Sequence, residues 1–298
     1  MINQDTKKQN FAKLIVKDAS LANSLAISQS HYENFPVASI ILPKHLRRPI
    51  ALIYAFARQA DDFADEGNMP DLDRLNNLNH YKDQLDLINN NTQSQSEFFN
   101  ALGKMVREFN LPLQLFYDLL TAFSQDVIKS RYADFNEIKD YCTRSANPIG
   151  QLLLHLYQLA NPQNIIYANQ ICTSLQLINF YQDIAIDFDH THHKRRIYLC
   201  HDEMTQFNVT EAQIANKLVN ENWQRLMRFN IDRAQHLLNA GKPLGKILPG
   251  RLGLEMRLVM NGGEHILKQL RIVNGDIFRH RPIIKAWHWP IIGLKSLF

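Results

Sequence analysis

Two pairs of aspartates are the most chemically informative residues of this chain: Asp61 and Asp65 in RQADDFADE, and Asp183 and Asp187 in NFYQDIAIDFD. At a spacing of four, both carboxylates of a pair leave one face of a helix about one turn apart, close enough to share a cation. Like charges so placed destabilise an isolated helix, and two such pairs inside otherwise apolar segments call for a compensating charge. A hard divalent ion supplies it, and Mg²⁺ held by a few carboxylates commonly keeps waters and reaches substrate phosphates. Asp61, Asp62, Asp65, Asp183 and Asp187 are therefore the candidate metal ligands, with Mg²⁺ the expected cofactor.

The residues around each pair extend the pattern. Tyr54, Arg58, Asp61 and Asp65 follow one another at offsets of four, three and four and form one helical stripe, polar within IALIYAFARQA. Arg58 can hold a phosphate oxygen bidentately, or it can pair locally with Asp62. Gln176, Asn179, Asp183 and Asp187, at offsets of three, four and four, place two amides beside the second pair of carboxylates. Lys194, Arg195 and Arg196 follow, either as diphosphate partners or as a solvated basic loop. His190, His192 and His193 invite zinc, but no Cys or second His group stands at ligand spacing. There is no G-x-G-x-x-G and no G-x-x-x-x-G-K-[ST], which weakens nicotinamide-dependent and kinase readings.

Such helices in an apolar bundle favour departure of diphosphate from an isoprenoid. The leaving anion creates a carbocation, which oily walls shield from stray water and aromatic faces stabilise. Phe35, Tyr54, Tyr141 and Tyr181 are candidates for those faces, or are ordinary core.

The elements that must position these groups read as helices. Apolar positions recur at helical spacing over Pro49 to Phe63, Leu113 to Val127, Ile149 to Ala160, Ile171 to Ile186, Gln213 to Asn239 and Arg251 to Val273. Pro43, Pro49, Pro70, Pro112, Pro148 and Pro249 mark helix starts, stops or kinks. Asn89 to Ser96 reads as a polar loop. The expectation is an all-α fold, with residues 1–298 one domain whose acidic helices face each other across a cavity.

The 298 residues, 45% hydrophobic and 21% charged, are ordinary globular material, and the net charge of +4 permits anionic substrates or membranes without requiring them. Three separated cysteines give no complete disulfide framework, which suits a reducing cytoplasmic setting. The segment 276–298 mixes Arg279, Arg281 and Lys285 with Trp287 and Trp289. It suits the inner face of an anionic membrane, or docking on its own core or a second subunit. A nucleic-acid role has only modest basicity behind it, and the acidic pairs oppose a phosphate backbone.

NFPVAS at Asn34 to Ser39, IYAFARQADDFADEG at Ile53 to Gly67, YCTRSANPIG at Tyr141 to Gly150 and LQLINFYQDIAIDFD with RRIYL to Leu199 resemble the squalene/phytoene synthase family across nearly the whole chain. The resemblance implies an isoprenoid synthase fold in which two D-x-x-x-D motifs bind Mg²⁺ and an isoprenoid diphosphate. It carries the metal role onto Asp61, Asp65, Asp183 and Asp187, diphosphate or metal-water contacts onto Arg58, Gln176 and Asn179, and pocket roles onto Phe35, Tyr54 and Tyr141. Lys194 and Arg196 complete the expected diphosphate clamp.

Within the family, ENFPVAS, YCTRSANPIG and NFYQDIAIDF are most similar to the bacterial hydroxysqualene synthases of hopanoid biosynthesis, which ionise presqualene diphosphate and trap the rearranged cation with water, without NADPH. Dehydrosqualene synthases carry a serine-rich segment upstream of the first acidic motif, where this chain has Tyr32 and Asn34. Hydrocarbon-forming members commonly have small or apolar residues where this chain has Arg144, Ser145 and Asn147. Ser145 and Asn147 are thus candidates for positioning water, the other reading being helix capping around Pro148. A synthase condensing two prenyl diphosphates head to head shares nearly all these residues, and a noncatalytic lipid-binding scaffold is the reading from another class. Other hopanoid-pathway enzymes are expected partners.

Overall fold

The computed structural model describes residues 43–189 and 195–297. Among them there are helices and no strand. They are α1 (Lys44–Asp65), α2 (Asp71–Asn89), α3 (Glu97–Glu108), α4 (Gln114–Ile128), α5 (Phe135–Ser145), α6 (Asn147–Leu156), α7 (Pro162–Asp189), α8 (His201–Gln206), α9 (Glu211–Ala215), α10 (Glu221–Gly241), α11 (Leu244–Ile247), α12 (Gly250–Ile272) and α13 (Trp289–Ser296). The all-α expectation holds.

Proline punctuates the chain as its missing N–H requires. Pro43, Pro70 and Pro249 immediately precede helices, Pro112 lies just before α4, and Pro148 occupies the first turn of α6. Pro49 departs from the pattern, since α1 begins at Lys44 and runs through it with its ring buried. The periodic run Gln213 to Asn239 is not one helix. It breaks after Ala215, where Lys217 adopts φ 54° and Asn220 caps α10 by accepting from the Trp223 N–H at 2.9 Å.

Two apolar clusters organise the packing. One gathers α1 to α4 around Phe56, whose ring meets Phe99 and Phe116 edge-on. The other surrounds α7, which packs most extensively against α10 and α6. Close approach to α7 depends on glycine. A Cβ on Gly150 would lie 2.6 Å from Cys172 Sγ, one on Gly241 2.9 Å from the Tyr167 carbonyl, and one on Gly263 2.9 Å from Leu175 Cδ2. Three neighbouring helices thus seat against α7 where a side chain is missing.

Candidate active site

On α1, Tyr54, Arg58, Asp61 and Asp65 are half-buried while Leu52, Ile53, Phe56, Ala60 and Ala64 are fully buried, so the stripe read from spacing is a real face. The local alternative for Arg58 is realised: Nη2 lies 2.8 Å from Asp62 Oδ1 and Nη1 lies 3.7 Å from Asp61 Oδ2.

What fixes the end of this helix is Arg74, a residue the sequence reading passed over. It is fully buried, and its guanidinium donates to four carbonyls: Nη1 to Phe63 at 3.0 Å and Glu66 at 3.1 Å, Nη2 to Gly67 at 2.7 Å and Nε to Met69 at 3.0 Å. Helix C-termini leave carbonyls without intrahelical partners, and here one cation satisfies carbonyls within and just after the first acidic motif. Gly67 supplies the left-handed turn, φ 71°, that folds them back onto it.

On α7, Gln176 and Asp187 are half-buried, Asn179 is exposed, and Asp183 accepts from Arg281 Nε at 2.6 Å. The neighbouring Gln182 side chain donates to the Pro282 carbonyl at 2.7 Å. The segment after α12 is therefore laid across α7 beside the second motif. Burial first, and then the adjacent Asp183 charge, push the Asp187 carboxyl up to about 8; the more distant charges of Asp65 and Asp126 push the same way and Arg196 opposes them. Asp65 and Asp187 thus act on one another through space, and the two acidic helices converge.

Arg196 joins them. It pairs with Asp65, donates to the Tyr198 hydroxyl at 3.0 Å and lies 3.6 Å from Asp126 Oδ1. Asp126, within the apolar run of α4, is buried and accepts from the Tyr141 hydroxyl at 2.6 Å and the Tyr198 hydroxyl at 3.0 Å. Burial raises its carboxyl to about 7, against the pull of Arg196. Backbone bonds hold this segment in place, Ile197 N–H to the Ser130 carbonyl at 3.0 Å and His201 N–H to that of Tyr132 at 2.9 Å. Neither Asp126 nor Tyr198 was singled out from the sequence, although a carboxylate inside LLTAFSQDVI is itself a signal.

Tyr141, expected to line the pocket, is instead packed among Tyr132, Phe180 and Tyr198, with its ring buried and its hydroxyl committed to Asp126. Tyr181 is likewise buried core, and Tyr54 is half-buried. Asn147 does not cap α6: it is the first residue of that helix, and its Oδ1 accepts from Thr173 Oγ1 at 3.0 Å, tying α6 to α7. Ser145 Oγ is buried with no hydrogen-bond partner among the described residues. Phe35, Lys194, His190, His192 and His193, and Tyr32 and Asn34, lie outside the described residues.

The donor set suits a hard divalent ion, being oxygen throughout, with the Asp187 carboxyl pushed up by burial and by the adjacent Asp183 charge. Among the described residues no three acidic groups of the two motifs gather within 4.8 Å. The one trio that does, Cys200, Asp202 and Glu203, is already engaged, because Glu203 pairs with Arg233.

The architecture recurs in solved structures. The squalene synthase HpnC of Alicyclobacillus acidocaldarius superposes with a TM-score of 0.76 at 31% identity, covering 85% of this chain and 95% of that one. A dehydrosqualene synthase superposes at 0.78 and 21% identity, covering 96% and 97%. The fold is that of the isoprenoid synthases. Residues 28–288 match the squalene/phytoene synthase family, and the chain belongs to it, as an isoprenoid-processing enzyme. Similar relatives include the hydroxysqualene synthase of Rhodopseudomonas palustris, 31% identical with 84% of each chain covered, and the phytoene synthase of Arthrospira platensis, 27% identical with 88% of this chain and 87% of the relative covered.

Proposed function

We propose that this enzyme converts presqualene diphosphate and water to hydroxysqualene and diphosphate. The observation that carries this reading is the convergence of two acidic helices whose carboxylates are matched by Arg58, Arg196 and Arg281, with a buried hydroxyl, Ser145 Oγ, one helical turn from the Tyr141 that holds Asp126. The likeness to the hydroxysqualene synthases of Rhodopseudomonas palustris, Sinorhizobium fredii and Zymomonas mobilis, 29% to 31% identical, supports it.

Asp61, Asp65, Asp183 and Asp187 would hold Mg²⁺, which when bound draws charge from the departing diphosphate. Arg196 and Arg281 bind diphosphate oxygens by giving up the carboxylates they now hold, and the Asp126 carboxylate with the Tyr198 hydroxyl keeps Arg196 aimed as it does so. The apolar walls exclude bulk water from the carbocation. Ser145 holds the one water that attacks carbon, and the proton this water sheds passes to the departed diphosphate. Asn147 acts one step back, fixing α6 against α7.

Purified protein with Mg²⁺ and no NADPH is incubated separately with presqualene diphosphate and with farnesyl diphosphate, and products are identified by mass spectrometry. Hydroxysqualene from presqualene diphosphate alone is the expected result. A condensed product from farnesyl diphosphate would move the protein to the condensing branch, the reading favoured by its likeness to phytoene synthases.

A further inference from the structure

The C-terminal helix α13 is apolar on two faces. One face is used within the molecule: Ile292 and Ser296 are buried, Ser296 Oγ accepts from Asn261 Nδ2 at 2.8 Å, and the Ser296 carbonyl accepts from Arg257 Nε at 2.7 Å. These bonds fix the rotation of α13 on α12, so the opposite face is presented rigidly. That face is Ile291 and Leu294, continued by Trp287 in the 3-10 turn that leads into α13 and by Leu297 just past its end, each 60% or more exposed. A helix surrounded by apolar side chains needs cover on every side, and a contiguous exposed apolar stripe marks an interaction surface.

We propose that this stripe seats on the interfacial layer of an anionic lipid bilayer, with Lys285 and Lys295 at its rim contacting lipid phosphates. Charge selects this occupant. Between residues 276 and 298 the Arg residues are already matched, Arg279 by Asp276 at 2.8 Å and Arg281 by Asp183 at 2.6 Å, which leaves Lys285 and Lys295 as the cations beside the stripe with no further acid in the segment. A second copy docked through the same face would set these cations against their own kind, whereas an anionic surface complements them. The ammonium of Lys285 sits 4.9 Å from the Trp287 ring, the side-chain pairing that suits a headgroup boundary. No described helix is long and apolar enough to cross a membrane, so the contact is peripheral. Because Arg281 of the same segment holds Asp183, the surface that seats on lipid is continuous with the site.

The test is flotation of the full-length protein with vesicles of phosphatidylglycerol and phosphatidylcholine, compared with pure phosphatidylcholine. The expected result is binding to the anionic vesicles, weakened about ten-fold or more by Lys285→Glu with Lys295→Glu. Ile291→Ser with Leu294→Ser should abolish binding while leaving the unfolding midpoint unchanged. Absence of flotation, equal flotation of either double variant, or no preference for anionic lipid overturns the proposal. A concentration-dependent dimer lost in the serine variant, without vesicle binding, assigns the stripe to a second copy instead. None of these readings depends on which reaction the site performs.

Discussion

The two acidic helices reach the same site but are secured in opposite ways. The end of α1 is fixed from within, by a fully buried guanidinium that answers four carbonyls only a few residues away in sequence. The corresponding stretch of α7 is fastened from outside, by Arg281 and the Pro282 carbonyl, which arrive from the far end of the chain. Buried hydrogen-bonded groups are costly to remove, whereas partly exposed ion pairs contribute little to stability. The first motif thus rests on its own segment, whereas the second, on a helix held by α6 and α10, receives its added contacts from the C-terminal segment.

The strongest way to probe this contrast is to ask whether the two motifs are chemically equal despite it. Asp65→Asn and Asp183→Asn should each slow diphosphate release about 100-fold or more, measured as phosphate after pyrophosphatase coupling, with the helical circular dichroism retained. A large loss from one and not the other would show that only one helix end takes part in leaving-group departure.

Arg74→Leu should cost about 3 kcal/mol in urea unfolding, because carbonyls at the end of α1 lose their donor in a buried place. If its cost were below about 1 kcal/mol, the internal clasp would be no firmer than the external one.

Between these extremes lies Glu255 of α12, whose carboxyl is raised to about 7 by burial. A folded-state value above the unfolded value of about 4.5 means that stability is fully present below pH 4.5 and declines as pH rises through 7. Glu255→Gln should therefore unfold at the same denaturant concentration as the parent at pH 4.5 and be more stable by about 1 to 2 kcal/mol at pH 8. Equal stability at both pH values would place the carboxyl in water.

The smallest effect on stability is expected from Arg281→Gln, under about 1 kcal/mol. Its readout is local: limited proteolysis should cut residues 276–285 faster than in the parent while α1 stays protected. Unchanged cleavage would mean that the Gln182 to Pro282 bond alone holds the segment.

The acidic stripes were legible because four-residue spacing converts directly into a helical face, and the structure keeps Tyr54, Arg58, Asp61 and Asp65 together as that rule demands. Helix α2 was not, although Leu78, Tyr81, Leu85 and Ile88 follow helical spacing: its buried stripe begins with Arg74, an arginine that reads as surface until its carbonyl partners are seen. Tyr141 lies on α5, a helix outside the periodic runs read from the sequence, and whether its ring faces a pocket or a packed neighbour depends on Asp126 and Tyr198, both distant in sequence. Arg281 escaped for the same reason. Its partnership with Asp183 is a fact of chain topology, and no periodicity within the C-terminal segment announces it.

The glycines at 150, 241 and 263 constrain what can change around α7. A larger residue at 150 or 263 needs Cys172 or Leu175 to give way, whereas at 241 it also meets the Tyr167 carbonyl, which no change of side chain can relieve. The helix that carries Asp183 and Asp187 is thus held at a spacing that these three positions set.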